Sequence, residues 1–444
     1  MTRFRMRWRF AVPGLLVPLS LQAAITDQRI DALVQKIQPQ LIEWRRDIHQ
    51  HPELSNREFN TSKKVAEHLR SLGLEVKTEI AHTGVVAVLR GGKPGPMIAL
   101  RADMDALPVV EQVDLPFKST VTAEYRGQTV GVMHACGHDA HVAILMAAAQ
   151  ILTQLRADLP GSVLFIFQPA EEGAPEGEEG GARLMLKEGL FDTYKPEVAF
   201  GLHVNTTVRA GDVGYRAGPF MAASDRFRIV VNGRQTHGAR PWQGIDPVVT
   251  SAEIITALQT VVSRRVDLTA NPAVLTVGVI SAGSRFNIVP ESAEMLGTLR
   301  TFDTQQRADI MQHMQTIVQS LGAANDASAT LSFGEDSNPV TFNNVALTER
   351  VVPSLKRAAG ADHVQALPLE TGAEDFAHFA QKVPSFYFYV GITPPDKDPH
   401  TVPVNHSPLF YIDESGLPVG LKSMLYVATD YLRSGSKRVA QRTD

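Results

Sequence analysis

The sequence predicts an α/β protein interrupted by a smaller α+β unit. Three observations carry this. Strand-like and helix-like segments alternate up to about residue 202, the pattern of a sheet with helices on both faces. From Asp225 the order becomes strand, helix, strand, strand, helix, strand, which is the ferredoxin-like arrangement. After Pro339 the first pattern returns, so the main unit is discontinuous and the second is inserted in it. A chain of 444 residues fits this division, because one core rarely serves such a length.

The elements follow in order. Residues 1–24 carry Arg3, Arg5, Arg7 and Arg9 ahead of an apolar stretch, without an acid, and end in Ala23 and Ala24. This is the layout of a signal peptide, so export to the periplasm or the medium is expected. The apolar run 10–19 is broken by Pro13 and Pro18 and is too short to cross a bilayer; no stable membrane anchor is expected. The first part of the main domain, 25–217, has helical periodicity at 27–49, 59–72 and 142–155. Aliphatic and β-branched runs at 85–89, 97–100, 163–167 and 198–202 read as strands. The inserted domain, 218–338, has strands at 226–231, 274–280, 293–301 and 329–333, and helices at 247–264 and 305–321. The second part of the main domain, 339–444, has a helix at 345–359, a strand at 386–390 and a last helix at 417–432.

Composition narrows the function. Apolar residues are 44%, charged residues 20%, and the net charge is −4 without a long basic run; this argues against a nucleic-acid partner. One cysteine, Cys136, excludes an internal disulfide. A small-molecule substrate remains the natural partner. The inserted domain's helices or edge strand could also pair two copies into a homo-oligomer, though no feature demands it.

Two runs concentrate the chemistry. His134-Ala-Cys136-Gly-His138-Asp139-Ala-His141 packs three histidines, a cysteine and an aspartate into eight residues before an apolar helix. Thiolate and imidazole suit zinc and similar divalent metals. Cys136 and His138 are two apart and cannot share a helical face, so they must converge from a turn, which Gly137 allows. Phe167-Gln168-Pro169-Ala170-Glu171-Glu172-Gly173 projects two adjacent carboxylates from the carboxyl end of a strand, where open α/β sheets hold ligands. Neighbouring carboxylates repel unless a cation joins them or their roles differ. One can bind metal while the other takes a proton from water. Asp103 and Asp105, His203 and His406 sit at further strand ends or in a Pro-rich loop. Any one of these is weak, and a single histidine is more often structural; together they call for metal. His49, His51 and His82 lack partners at metal spacing. His141 reads as a support to the ligands, and His400 competes with His406 for the last ligand position.

With these motifs in view, the chain resembles the aminoacylase/carboxypeptidase metallohydrolase superfamily, and within it the amidohydrolase branch. Arg101-Ala-Asp-Met-Asp-Ala-Leu-Pro108, Met133-His-Ala-Cys-Gly-His-Asp-Ala-His141 and Gln168-Pro-Ala-Glu-Glu-Gly173 carry the likeness. Further support comes from Gly233 to Pro241, Phe286-Asn287-Ile-Val-Pro290 and Gly372-Ala-Glu-Asp-Phe376. The resemblance implies a mixed-sheet, zinc-peptidase-like catalytic domain with the ferredoxin-like unit as a lid or dimerisation domain. It also implies two divalent metal ions per subunit, zinc, manganese, cobalt or nickel, held by Cys136, His138, Glu172, His203 and His406. Glu171 would be the general base and Asp105 would orient a ligand imidazole. His237 would polarise the scissile carbonyl or hold the substrate, and Asn287 would bind the substrate's carboxylate end. The implied activity is hydrolysis of N-acyl amino acids, with short peptides as the alternative. Trp242, Arg285, Thr371 and the acidic loop 174–179 depart from the family pattern and leave the substrate open. A binding protein without turnover would have no use for Glu171 beside Glu172, and a cysteine nucleophile would stand apart from so many metal ligands.

Overall fold

The computed structural model describes residues 25–334 and 336–435; the expected signal peptide lies outside the described residues. The main sheet is built from β1 (Glu75–Ile80), β2 (Gly84–Arg90), β3 (Lys93–Asp103), β4 (Pro160–Gln168), β5 (Val198–Arg209) and β6 (Val213–Tyr215). The inserted unit supplies β7 (Ala223–Asn232), β8 (Ala273–Ala282), β9 (Ser292–Thr301) and β10 (Ser328–Phe333). The chain then returns with β11 (Val364–Ala366) and β12 (Ser385–Thr393).

The eight main-sheet strands lie in the order β1-β2-β4-β3-β5-β12-β6-β11. The central four, β4, β3, β5 and β12, are parallel, whereas β1, β2 and β6 make antiparallel contacts. The sheet is therefore mixed. Central parallel strands are covered on both faces and need no polar alternation, and β12 is buried along its whole length. One face packs under α1 (Asp27–Gln50), α2 (Phe59–Ser71), α3 (His138–Gln154), and two helices introduced below. α3 is apolar nearly all round and sits buried in this layer.

In the inserted unit the four strands form an antiparallel sheet, β8-β9-β7-β10. Numbered within the unit, that order is 2-3-1-4, the ferredoxin-like order. β7 alternates buried and accessible residues, so its Phe227, Ile229 and Val231 pack against α4 (Pro247–Arg265) and α5 (Thr304–Ala324). Asp246 caps α4 by accepting from Val248 N, with Pro247 in the first turn, as helix starts favour. The two connections to the main unit run side by side: Gly218–Met221 pairs antiparallel with Thr341–Asn343. α6 (Val345–Ala359) and α7 (Leu417–Arg433) complete the main unit.

Two differences from the sequence expectations bear on the site. The helix expected at 142–155 begins at His138, because its polar first turn hides the apolar pattern. This puts His138 and His141 on the helix itself. The strands expected at 163–167 and 198–202 extend to Gln168 and Arg209, carrying polar residues toward the site. A hairpin, Thr122–Tyr125 with Gln128–Gly131, had no counterpart in the expectations.

Candidate metal centre

The site stands at the carboxyl ends of β3 and β4, beside His203 of β5 and the loop that carries His406. Cys136 occupies the turn before α3. Gly137 there has φ +95°, and a Cβ would fall 2.3 Å from the Val204 side chain, so only glycine lets the turn close. Cys136 Sγ lies 3.4 Å from His203 Nε2 and 3.2 Å from His406 Nε2.

Two of the three clustered imidazoles have Nδ1 fixed by a backbone carbonyl. His138 Nδ1 donates to the Asp105 carbonyl at 2.8 Å. Its Nε2 is buried without a hydrogen-bond partner, 3.9 Å from both Glu171 and Glu172. His203 Nδ1 donates to the Val204 carbonyl at 2.7 Å. A carbonyl can only accept, so in the neutral rings that a metal requires, both Nε2 atoms carry the lone pair, directed into the site. His406 sits on its loop with φ +72°. Its backbone N donates to Ala135 O, and the preceding Asn405 Nδ2 donates to Cys136 O and Val204 O. These bonds bring His406 Nε2 within 3.1 Å of Glu172 Oε1.

Two triads result: Cys136, His138 and His203, and Cys136, Glu172 and His406, each with donor atoms within 4.8 Å of one another. They share the Cys136 sulfur. Buried polar atoms seldom lack partners, yet His138 Nε2 does, and Glu172 Oε1 makes no well-formed hydrogen bond despite the approach of His406. Soft and borderline donors gathered around an orphaned His138 Nε2 fit divalent cations, which these residues would hold. The local electrostatics agree. Burial, then Glu172 and Glu171, hold the Cys136 thiol well above its usual range. Burial opposes charge on His138, but Asp103 and Asp105 outweigh it and push its pKa up to about 10. Burial, then Glu374, Glu172 and Asp375, raise Glu171 well above the carboxylate range. Cations would reverse this balance by compensating the crowded negative groups.

A further layer holds the ligands. Asp105 Oδ1 accepts from Glu171 N and Oδ2 from Glu172 N, both at 3.0 Å, while Ser55 Oγ donates to Oδ2 at 2.7 Å. Asp105 thus orients His138 mainly through its carbonyl, with Oδ1 3.3 Å from Nδ1, and clamps the Glu171-Glu172 backbone with its carboxylate. Glu58 extends the clamp: its Oε1 accepts from Ala170 N at 2.9 Å, where Ala170 has φ +52°. Three successive amides are therefore bound by two buried carboxylates. His141 Nδ1 meets Asp103 Oδ1 at 2.5 Å and its Nε2 accepts from Val204 N, so both its nitrogens are committed. Buried Arg101 ties Asp103, Glu374 and Asp375 together behind Glu171. Arg45 and His49 bind Asp139 on the far side of the first turn of α3.

The structure thus gathers Cys136, His138, Glu171, Glu172, His203 and His406, with Asp105 beneath them. His237 is elsewhere: it is exposed on Thr236–His237 of the inserted unit, paired with Ile288–Val289, and its Nδ1 accepts from Ala239 N. It shares no ligand cluster with the others. Asn287 lies beside it, its carbonyl accepting from Gly238 N and its Oδ1 buried without a partner. Trp242 and Phe286 are exposed. His51, His82 and His400 lie outside the clusters, and buried His49 serves α3 instead. Glu58 and the joint role of Glu374 and Asp375 escaped sequence reasoning. A charged residue in the buried carboxyl half of β3, Arg101, two residues before Asp103, was the one signal that a network lay behind Glu171. A cavity of about 420 Å³ separates Glu171 and Glu172 from Ser224, Arg226 and Arg300 of the inserted unit.

Comparison with known proteins identifies the family. The model of peptidase family M20/M25/M40 matches residues 99–430. Thermostable carboxypeptidase 1 of Saccharolobus solfataricus is 40% identical over 399 residues, covering 90% of this chain and 97% of that protein. An N-acetylcysteine deacetylase of Bacillus subtilis is 37% identical over 380 residues, covering 85% and 93%. The crystal structure of Bacillus subtilis YXEP protein, a dinuclear metal binding peptidase, superposes with a TM-score of 0.73 at 34% identity, covering 90% and 99%.

Proposed function

The chain belongs to peptidase family M20/M25/M40 and is a metal-dependent hydrolase of amide bonds, and from that premise we propose that it cleaves N-acyl amino acids into a carboxylic acid and a free amino acid. The observation that carries the proposal is Glu171, a second carboxylate beside Glu172 that belongs to neither of the Cys136 triads. Cys136, His138, Glu172, His203 and His406 would hold two divalent cations. Bound there, such cations would acidify water and polarise the scissile carbonyl.

The chain's own groups do the rest. Glu171 takes the proton of the attacking water and passes it to the leaving amine. Glu374 and Asp375 crowd it and raise its proton affinity, which suits a base that must hold the proton between the two transfers. Asp105 and Glu58 keep the carboxylate in place by binding the backbone on either side. His237 stabilises the oxyanion and Asn287 holds the substrate carboxylate. Both need the inserted unit to close over the main unit, or a second subunit to supply them. Short peptides are the second reading, favoured by the carboxypeptidase relative; a peptide is itself an N-acylated amino acid, so one machinery serves both. Export is proposed from Arg3, Arg5, Arg7, Arg9 and the apolar segment after them; amino-terminal sequencing of natively produced protein tests it, and a retained Met1 or Thr2 in the cytosol defeats it.

The deciding experiment is a screen of N-acyl amino acids and dipeptides with metal-reconstituted protein, wild type and Glu171→Gln. The variant should retain its metal and lose about 10²–10⁴-fold in turnover. Full turnover with normal metal content would remove Glu171 from the role of base.

A further inference from the structure

We propose that Arg45, Arg46 and His49 of α1 act as a positioning clasp for the loop that carries His406, and that this clasp sets the affinity of the metal position that His406 completes. The proposal rests on the reading of Cys136, Glu172 and His406 as cation ligands. The three imidazoles of the centre are not held alike. His138 is part of α3 and His203 part of β5, and both are buried. His406 is exposed and lies in the connection 394–413, between the end of β12 and the helical turn Glu414–Gly416. Its φ of +72° is a conformation that strains a non-glycine residue and persists only where the surroundings over-determine it.

The outer anchors of this loop run to α1. Glu414 closes the loop at its carboxyl end. Its carboxylate accepts from Arg46 Nε at 2.9 Å and Nη2 at 2.6 Å, and from Arg45 Nη1 at 3.2 Å. The two-pronged bond from Arg46 fixes direction as well as distance. Nearer to His406, Pro408 O accepts from Gln112 N at 2.9 Å. The preceding Glu111 is buried and ties that segment back to α1: its Oε1 meets His49 Nε2 at 3.1 Å, and its Oε2 accepts from Ser119 N at 2.7 Å. One helix thus grips the loop at residue 414 directly and at residue 408 through the Glu111 segment. Between the two grips Phe410 and Ile412 are buried, beside the turn at Gly137.

The same face of α1 reaches the first turn of α3. Arg45 Nε donates to Asp139 Oδ2 at 2.7 Å, and His49 Nδ1 meets the same oxygen at 2.9 Å. Asp139 directly follows the ligand His138. Both guanidinium groups lie over the Phe117 ring, each 5.0 Å from its centre, and His49 meets that ring edge-on. Asp139, Glu111 and Glu414 come from three separate segments, and a buried carboxylate that loses its partner is costly. Their shared cations therefore hold the α3 turn, the 111–119 segment and the His406 loop in one fixed relation. Arg45, Arg46 and His49 belong to none of the ligand clusters among the described residues, so they act on the metal through His406.

The test titrates chelator-stripped protein with cobalt(II) and follows the absorption through both equivalents. Wild type should take two, and His406→Ala should weaken one of them. Glu414→Ala removes the grip at the carboxyl end of the loop, and Gln112→Pro removes the amide that holds Pro408; neither residue is a ligand. Each substitution should weaken that same equivalent by about tenfold or more, the scale of groups that orient metal ligands, and leave the other equivalent as in wild type. Gln112→Pro carries the test if Glu414→Ala does not fold. In the His406→Ala background neither should lower the affinity further, because a clasp that works through His406 has nothing left to act on. A general loosening of the fold would instead weaken both equivalents, or add to the loss in His406→Ala. Either of those results, or wild-type affinity in both variants, overturns the clasp. Wild type that takes fewer than two equivalents, or His406→Ala that binds both as tightly as wild type, overturns the ligand reading, and the proposal with it.

Discussion

Replacing Asp105 with asparagine isolates the backbone clamp beneath the metal ligands. Both carboxylate oxygens are occupied, one by Glu171 N and the other by Glu172 N and Ser55 Oγ. Asparagine has nearly the same shape but offers one acceptor and one donor. Ser55 can rotate away, yet one of the two amides must then face an NH₂ group. A buried amide left unpaired costs about 1–3 kcal/mol, and a bond to a charged acceptor is itself worth about 1.5–3 kcal/mol. The metal-free variant should therefore lose about 2–5 kcal/mol, a large share of the roughly 5–15 kcal/mol that holds a folded protein. Urea unfolding in chelator measures it. Because Glu172 hangs on the same clamp, metal affinity should fall by about 10–100-fold, read by competition with a chromophoric chelator. The pH dependence has a definite sign. Burial opposes ionisation of Asp105, but its bonds with His138, Ser55 and Glu172 N hold it below the usual carboxylate range. Such a group stabilises above its unfolded pKa, about 3.9, and loses that contribution as pH falls through the folded value. The gap between wild type and Asp105→Asn should thus narrow in acid. Equal unfolding midpoints and equal metal affinity at neutral pH would refute the clamp.

Three further outcomes follow from the same coordinates. Burial, then the charge of Asp105, push Glu58 up to about 8 from 4.5, so its stabilising proton is fully present below about pH 4.5 and lost as pH rises to about 8; Glu58→Gln should flatten the metal-free unfolding midpoint over that window, and an unaltered slope would contradict it. Cys136→Ser should bind metal more weakly, and the wild-type thiol should resist alkylation when loaded and react after chelation; equal labelling in both states would take Cys136 out of the centre. His237→Ala should lose turnover while keeping metal, and mixing it with Glu171→Gln distinguishes its source: activity regained in mixed oligomers means that a second subunit supplies the histidine, none regained means closure within one chain, and normal turnover of His237→Ala alone means it has no part in the reaction.

The chain by itself determined the alternation of elements, the ferredoxin-like insertion and the residue types of a metal centre. Those features are local: β-branched runs, helical periodicity and dense His, Cys and Glu motifs are legible wherever they stand. The start of α3 was less so, because His138, Asp139 and His141 replace the apolar signal in its first turn. What only the tertiary structure decided is which distant groups meet. Glu58 and Asp105 come from separate segments, yet they bind consecutive amides at residues 170–172. Arg101 reaches Glu374 and Asp375 across the sheet, and Asn405 docks the His406 loop on Cys136. His237 shares the family motif order but lies on another unit, apart from the ligands. The physical reason is the same in each case. A buried donor or carboxylate must find a partner somewhere in the folded chain, and spacing along the sequence says nothing about where that partner lies.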